Sequence, residues 1–334
     1  MNDTTSRTPP PSRPILQLYR GAIRGRDATK KRDTLARYCD RIVDLGLPAV
    51  CFHGFPEELA NAWDGLARLA QNRGLIATAA WGLDGKNITA KRKGELVGSV
   101  LAKPSCVAGL LDAEGQYDTD TGPADDMDEA GALTMCKAIR LAAPDAWVGD
   151  QPWYKITSHG NVRRTAKPIE LGGTFSGFPV DEFATVCNWG RFRQAYIYNN
   201  LGAYYKPTFD TMDESWGEIE PSLRSAGLSR PLRVTLQGYG WKSHEFVDAL
   251  LSRGSCCGEP VVIWCDPMIA PLEERALRFV LWCEREGMVS IGSNAVDVVK
   301  AAQEALNRSG ARLDVDGAAG DATLSAWETI TTKR

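Results

Sequence analysis

Between Ile15 and Glu286 short apolar runs alternate with amphipathic segments, and the alternation repeats eight times. The runs are Ile15–Tyr19, Leu47–Phe52, Leu75–Trp81, Val107–Leu111, Ala146–Asp150, Phe192–Tyr198, Leu232–Gln237 and Val261–Cys265. Val107–Leu111 is apolar without alternation, which suits a strand covered on both faces, as in a parallel sheet. The segments between the runs have helical spacing. Leu35, Tyr38, Cys39, Ile42 and Val43 line one face of Lys31–Leu45, and Gly46 stops it. Pro56 and the two Glu after it open a helix that reaches about Asn72. Thr89–Ala102, Asp126–Ala142, Pro179–Cys187, Asp210–Ala226, Ser243–Leu251 and Leu272–Glu286 complete the predicted helices.

Eight strand–helix pairs predict an α/β chain folded as a (β/α)8 TIM barrel. A doubly wound open sheet is the main competitor. It is disfavoured because no strand runs into a glycine-rich phosphate loop such as GxGxxG. We expect residues 1–14, polar and Pro-rich, to form a disordered arm, 15–288 the barrel, and 289–334 a short helical module. Gln151–Phe178 is long and irregular, the length of a lid or binding surface.

Bulk properties narrow the function. A net charge of -3 leaves no nucleic-acid footprint. No apolar run is long enough to span a membrane. The start, MNDTTSRTPPPSRP, lacks the apolar core of a signal peptide, so synthesis in the cytoplasm without one is expected. Nine Cys are scattered with no CxxC pair, and there are three His, so neither a metal site nor a cofactor is expected. The Cys read as small buried hydrophobes, with Cys256 and Cys257, adjacent in a Gly/Ser loop, as the exception.

Barrel active sites lie at the carboxyl ends of the strands. The fourth run ends in Asp112 and Glu114, one residue apart, followed by Gly115. Strand periodicity is two, so both project from one face, an arrangement suited to acid/base chemistry. Other strand ends offer His53, Trp81, Asp150, Trp153, Tyr196, Tyr198, Asn199, Gln237, Tyr239, Trp264 and Asp266. Acids, amides and aromatics dominate this set. Aromatic faces stack on sugar rings, while amides and acids bond hydroxyls. Lys and Arg, which a phosphate site needs, are scarce. The substrate expected is a neutral or amide-bearing carbohydrate.

The run LLDAEG resembles the Asp-x-Glu strand end of the GH25 lysozymes, barrel muramidases that cleave the glycan of peptidoglycan. The resemblance implies that Glu114 is the catalytic acid and Asp112 its partner carboxylate. That family carries an Asp at the end of its first strand, whereas ILQLYRG has none; Asp150 or Asp266 could supply the missing group. The last segment resembles the peptidoglycan-binding domain PG_binding_1. Val299, Gln303, Leu306, Asn307, Gly310, Leu313, Val315, Asp316, Gly317, Gly320 and Thr323 carry the match, with Trp327-Glu328 where that domain closes on Phe-Gln.

Together these readings imply a lysozyme- or endolysin-like glycoside hydrolase acting on peptidoglycan or a related polysaccharide at the bacterial cell wall, in a phage or virion setting. Two other readings stay open. One is a non-catalytic wall-binding or virion-structural protein on a barrel scaffold. The other is a barrel hydrolase for a different polysaccharide.

Overall fold

The structure is a computed structural model. It describes residues 13–18, 28–83, 88–112, 129–144, 146–151, 174–175, 178–179, 195–199, 232–258, 261–265 and 268–332. Its strands are β1 (Ile15–Leu18), β2 (Ala49–Gly54), β3 (Ile76–Gly82), β4 (Ala108–Asp112), β5 (Trp147–Gln151), β6 (Thr174–Phe175), β7 (Phe178–Pro179), β8 (Ala195–Asn199), β9 (Leu232–Gln237) and β10 (Val262–Cys265). The helices are α1 (Ala28–Asp44), α2 (Pro56–Gln71), α3 (Ala90–Leu101), α4 (Glu129–Ala142), α5 (Ser243–Ser252), α6 (Pro271–Arg285), α7 (Ala295–Arg308) and α8 (Asp321–Thr331).

Eight strands form one sheet in the order β5-β4-β3-β2-β1-β10-β9-β8, and every pair in it is parallel. Each strand lies beside its neighbour in the chain, and the last lies beside the first. The two edges, β5 and β8, approach within 8 Å between Cα atoms. This is the (β/α)8 barrel expected from the alternation; a doubly wound sheet would reverse its strand order instead. The stretch predicted as an irregular loop begins in β5, and its far end forms the antiparallel pair β6–β7. The predicted helix at Asp210–Ala226 lies outside the described residues, as does Pro179–Cys187 beyond Pro179 itself, which belongs to β7.

Strand alternation divides the apolar side chains into two layers. Ile15, Ala49, Cys51, Ala80, Ala108, Leu110 and Val262 pack together inside the barrel. Leu16, Leu18, Val50, Phe52, Ala79 and Trp81 face outward and join Leu59, Trp63, Val97 and Phe279 of the helices. Trp63 meets Phe52 edge-on at 6.4 Å and donates its Nε1–H to Ser105 Oγ at 3.0 Å. α3 and α4 pack so closely that a Cβ at Gly94 would lie 2.3 Å from the Met135 carbonyl oxygen, so only glycine fits there. Cys39, Cys51, Cys106, Cys136, Cys256, Cys265 and Cys283 are buried, whereas Cys257 is exposed. Burial pushes the Cys51 thiol up to about 12, the behaviour of an inert core residue. No helix among the described residues is long and apolar enough to cross a membrane.

The last two helices are docked against the barrel wall. Trp327 meets Phe279 of α6 edge-on at 5.9 Å. Arg275 reaches Ser325 at 2.8 Å and Glu328 at 2.9 Å, and Ser243 Oγ donates to Asp321 Oδ1 at 2.8 Å. The apolar residues of α7 and α8 belong to the same buried cluster as the outer barrel layer. The polar residues of this C-terminal segment are engaged in internal bonds. Gln303 Nε2 donates to Asp316 at 2.7 Å, Ala318 O at 3.1 Å and Thr323 at 3.2 Å, while its Oε1 accepts from the Gly317 N–H at 3.0 Å. Asn307 bonds both the N–H and the C=O of Leu313, each at 2.8 Å. The N-cap of α8 is Gly320. On α7, Val299, Ala302, Gln303 and Leu306 are buried, but Val296 is 43% exposed.

Asp316 gives this turn a pH signature. The bond from Gln303, and then the Ala318 N–H, hold its carboxyl below the usual range. A carboxylate depressed in the folded state stabilises above its unfolded value of about 3.9, and that contribution is lost as pH falls through the folded value. Titrating the amide resonances of Gly317 and Ala318 from pH 6 to pH 2 should place their inflection below that of an ordinary Asp. Asp316→Asn should abolish the inflection. An inflection at the ordinary value would remove the bonding scheme.

Candidate active site

The carboxyl ends of the parallel strands share one rim. Backbone register sorts the residues there into an inward row and an outward row. Ala80 and Leu110 pair across β3 and β4 and belong to the inner layer. Two positions further, Gly82, Asp112 and Gln151 are register partners and end that row. Asp112 is the last residue of β4, so it stands at the mouth. His53 pairs with Ala80, joins the inward row, and is 2% exposed.

On the other side of the ring, Val262 of the inner layer pairs with Thr235, which pairs with Tyr198. Tyr196 precedes Tyr198 in the same row, and Gln237 pairs with Trp264. Register therefore brings Asp112, Tyr196, Tyr198, Gln237 and Trp264 into the inward set. β4 and β10 are four places apart in a ring of eight, so Asp112 and Trp264 stand on opposite walls.

Other candidates separate from this set. Asp150 pairs with Leu111, and Asn199 pairs with Leu236. Both partners pack in the outer layer, so Asp150 and Asn199 hold outward-row positions. Asp150 is thereby a poor substitute for the first-strand carboxylate. Trp81 requires a correction as well. It is 0% exposed and lies on the helix side of the sheet, where a Cβ at Gly109 would come within 2.4 Å of its ring. The indole fills the space over β4 beside Leu101 and is not available to a ligand. Its position at a strand end looked functional, but being one residue out of phase with His53 and Asp112 sends it outward. Glu114, Trp153 and Asp266 lie outside the described residues.

One wall of the mouth is held in place by a set of buried bonds. The Gly238 N–H donates to the Trp264 carbonyl at 2.7 Å, and the Ala270 N–H to the Gly238 carbonyl at 2.7 Å. Glu273, 2% exposed in the first turn of α6, accepts the Trp241 N–H at 2.8 Å. Burial raises its carboxyl above the ordinary range, against the opposing pull of backbone N–H donors, Trp241 first. These bonds fix the loop that carries Tyr239, whose ring meets that of Trp264 at 5.7 Å with a 49° tilt. Both rings are partly exposed. The result is a half-open aromatic surface facing the β4 wall.

Two residues of this region were missed from the sequence. Glu273 reads there only as one of two acids after Pro271. Gln17, the third residue of β1, is 0% exposed and pairs with Trp264 and Cys51 in the inward row. A polar residue inside the run ILQL was the available signal. Among the described residues no group of three or more His, Cys, Asp or Glu forms a metal site.

No protein-family model matches the chain, and no curated protein matches it. Solved structures do. The chain is 12% identical to GH5_18 from Streptomyces cattleya in complex with GlcNAc, over 97% of this chain and 92% of that one, with a TM-score of 0.54. It is 12% identical to GH5_18 from Bifidobacterium longum subsp. longum, over 84% and 81% of the two chains, with a TM-score of 0.52. A variant of that protein in complex with Manb1-4GlcNAc gives a TM-score of 0.51 at 12% identity, over 84% and 80%. These are glycoside hydrolase barrels, and the likeness at this identity is one of fold. This chain has the (β/α)8 barrel fold that these structures share.

Proposed function

We propose that the chain is a glycoside hydrolase that cleaves peptidoglycan glycan strands, with Glu114 as general acid and Asp112 as its partner carboxylate. The observation that carries this reading is the position of Asp112. It ends the inward row of β4, opposite the Tyr239–Trp264 aromatic pair, in a barrel whose solved neighbours include glycoside hydrolases. A glycan strand laid across the mouth has its bonds within reach of the acidic wall, and its sugar faces can stack on the aromatic one. Glu114 gives its proton to the glycosidic oxygen as the bond breaks. Asp112 stabilises the positive charge that develops at the anomeric carbon, and a water molecule completes the hydrolysis by bonding that carbon and releasing a proton. The C-terminal segment supports a wall substrate through its likeness to PG_binding_1. Its motif residues hold its own turn, so any wall contact belongs to other surfaces of the segment.

A second reading has support of its own. Two of the GH5_18 neighbours are complexes with GlcNAc and Manb1-4GlcNAc, which favours a barrel hydrolase for another polysaccharide built from amide-bearing sugars. Parallel assays on purified cell walls, chitin and mannan separate the two. Clearing of wall suspensions is expected, with little sugar released from chitin or mannan. Release from chitin or mannan alone transfers the assignment to the second reading.

A further inference from the structure

We propose that Gln17 reads a pair of adjacent sugar hydroxyls, forming with Trp264 a subsite on the β1–β10 wall of the barrel mouth. This inference rests on the carbohydrate reading above, but not on whether a bond is cut.

Gln17 is a fully buried primary amide in an otherwise apolar strand. Neither its Oε1 nor its Nε2 has a hydrogen-bond partner among the described residues. Leaving such groups unmet costs about 1–3 kcal/mol each. The same chain satisfies comparable groups elsewhere. Gln303, 1% exposed, uses both ends of its amide, and Thr78, in the inward row of β3, donates to the Val50 carbonyl at 3.2 Å. The register partners of Gln17 are Cys51 and Trp264, and neither bonds its amide. Folding alone would be better served there by Met or Leu. The unmet donor and acceptor call for a partner from outside the barrel wall.

The chemistry of that partner follows from the two groups at the site. A carboxamide presents an acceptor and a donor side by side. Adjacent sugar hydroxyls match it: one donates to Oε1, and the other accepts from Nε2. The amide is neutral, so it gives no advantage to a phosphate or carboxylate. Its register partner Trp264 supplies a partly exposed apolar ring, suited to the C–H face of a pyranose. Gln17 is fully buried in the free protein, so a sugar reaches it only as the side chains over it give way.

The test is calorimetric titration of the full chain with chitotetraose, cellotetraose and mannotetraose. Wild type should bind at least one of them, and Gln17→Met should bind that sugar at least tenfold more weakly while melting no lower than wild type. A deoxy analogue lacking one of the paired hydroxyls should bind both proteins alike. Trp264→Phe should shrink the fluorescence change that accompanies binding. Equal affinity of wild type and Gln17→Met would overturn the proposal, as would failure of wild type to bind any of the three sugars. Loss of folding in Gln17→Met would also overturn it, since the amide would then have a structural partner. Sugar binding without hydrolysis of walls, chitin or mannan removes the hydrolase reading and leaves the subsite standing. Lysis with equal binding by Gln17→Met removes the subsite and leaves the hydrolase.

Discussion

Glu114→Gln should lower the lytic rate on purified cell walls by about 10²–10⁴-fold, the contribution expected of a positioned general acid. Wall binding and melting temperature should stay unchanged, because the amide keeps the size of the side chain. The effect is large because the leaving oxygen otherwise departs as a high-energy alkoxide. The acid must still hold its proton near neutral pH, well above the free value of about 4.3. Asp112 ends the strand two residues earlier and opposes a second negative charge nearby, so one carboxylate of such a pair titrates late. Glu114 should therefore titrate after Asp112. Asp112→Asn should lose more in rate than in binding, since its charge matters most once positive charge has developed on the sugar. Full lysis by Glu114→Gln would place the acid elsewhere, with Asp266 tested next and Asp150 last because of its outward-row register.

Trp327→Ala should destabilise the whole chain by about 3–5 kcal/mol and lower its melting temperature by roughly 5–10 °C. The indole is 7% exposed and lies edge-on against Phe279, which in turn touches Trp282 at 5.7 Å. Truncation leaves a cavity between α8 and α6 that backbone held by the Arg275 and Ser243 bonds closes poorly. The variant should still melt in one calorimetric transition, because the module's apolar residues are continuous with the outer layer of the barrel. Separate melting of a small unit, with the barrel transition unmoved, would show the module to be an independent domain.

The barrel was legible because its signal repeats. Each strand–helix unit carried its own stop at a Gly or Pro, and errors of one or two residues at an element's end did not alter the strand order. The place of Asp112 at the end of β4 was legible because it closes an apolar run. Phase was harder to read. Trp81, Asp150 and Asn199 end or adjoin their strands as plausibly as Asp112 does. Only pairing with Gly54, Leu111 and Leu236 shows them out of step with the inward row. In strands covered on both faces both rows are apolar, so the sequence carries no alternation from which to read the phase. Gln17 was overlooked for the same reason: in a fully apolar strand one polar residue reads as tolerated, until its bonds are counted and found missing. The C-terminal motif was legible as a pattern, but its polar positions proved to be the internal bonding of a turn.

The most direct test of the account is the chemistry left on the wall. Purified peptidoglycan incubated with wild-type protein should gain new reducing ends on its glycan strands, with its peptide crosslinks intact and no free amino groups appearing, and Glu114→Gln should produce none. Wild-type protein that sediments with the wall but generates no reducing ends would contradict the catalytic claim and leave a wall-binding protein on a barrel scaffold.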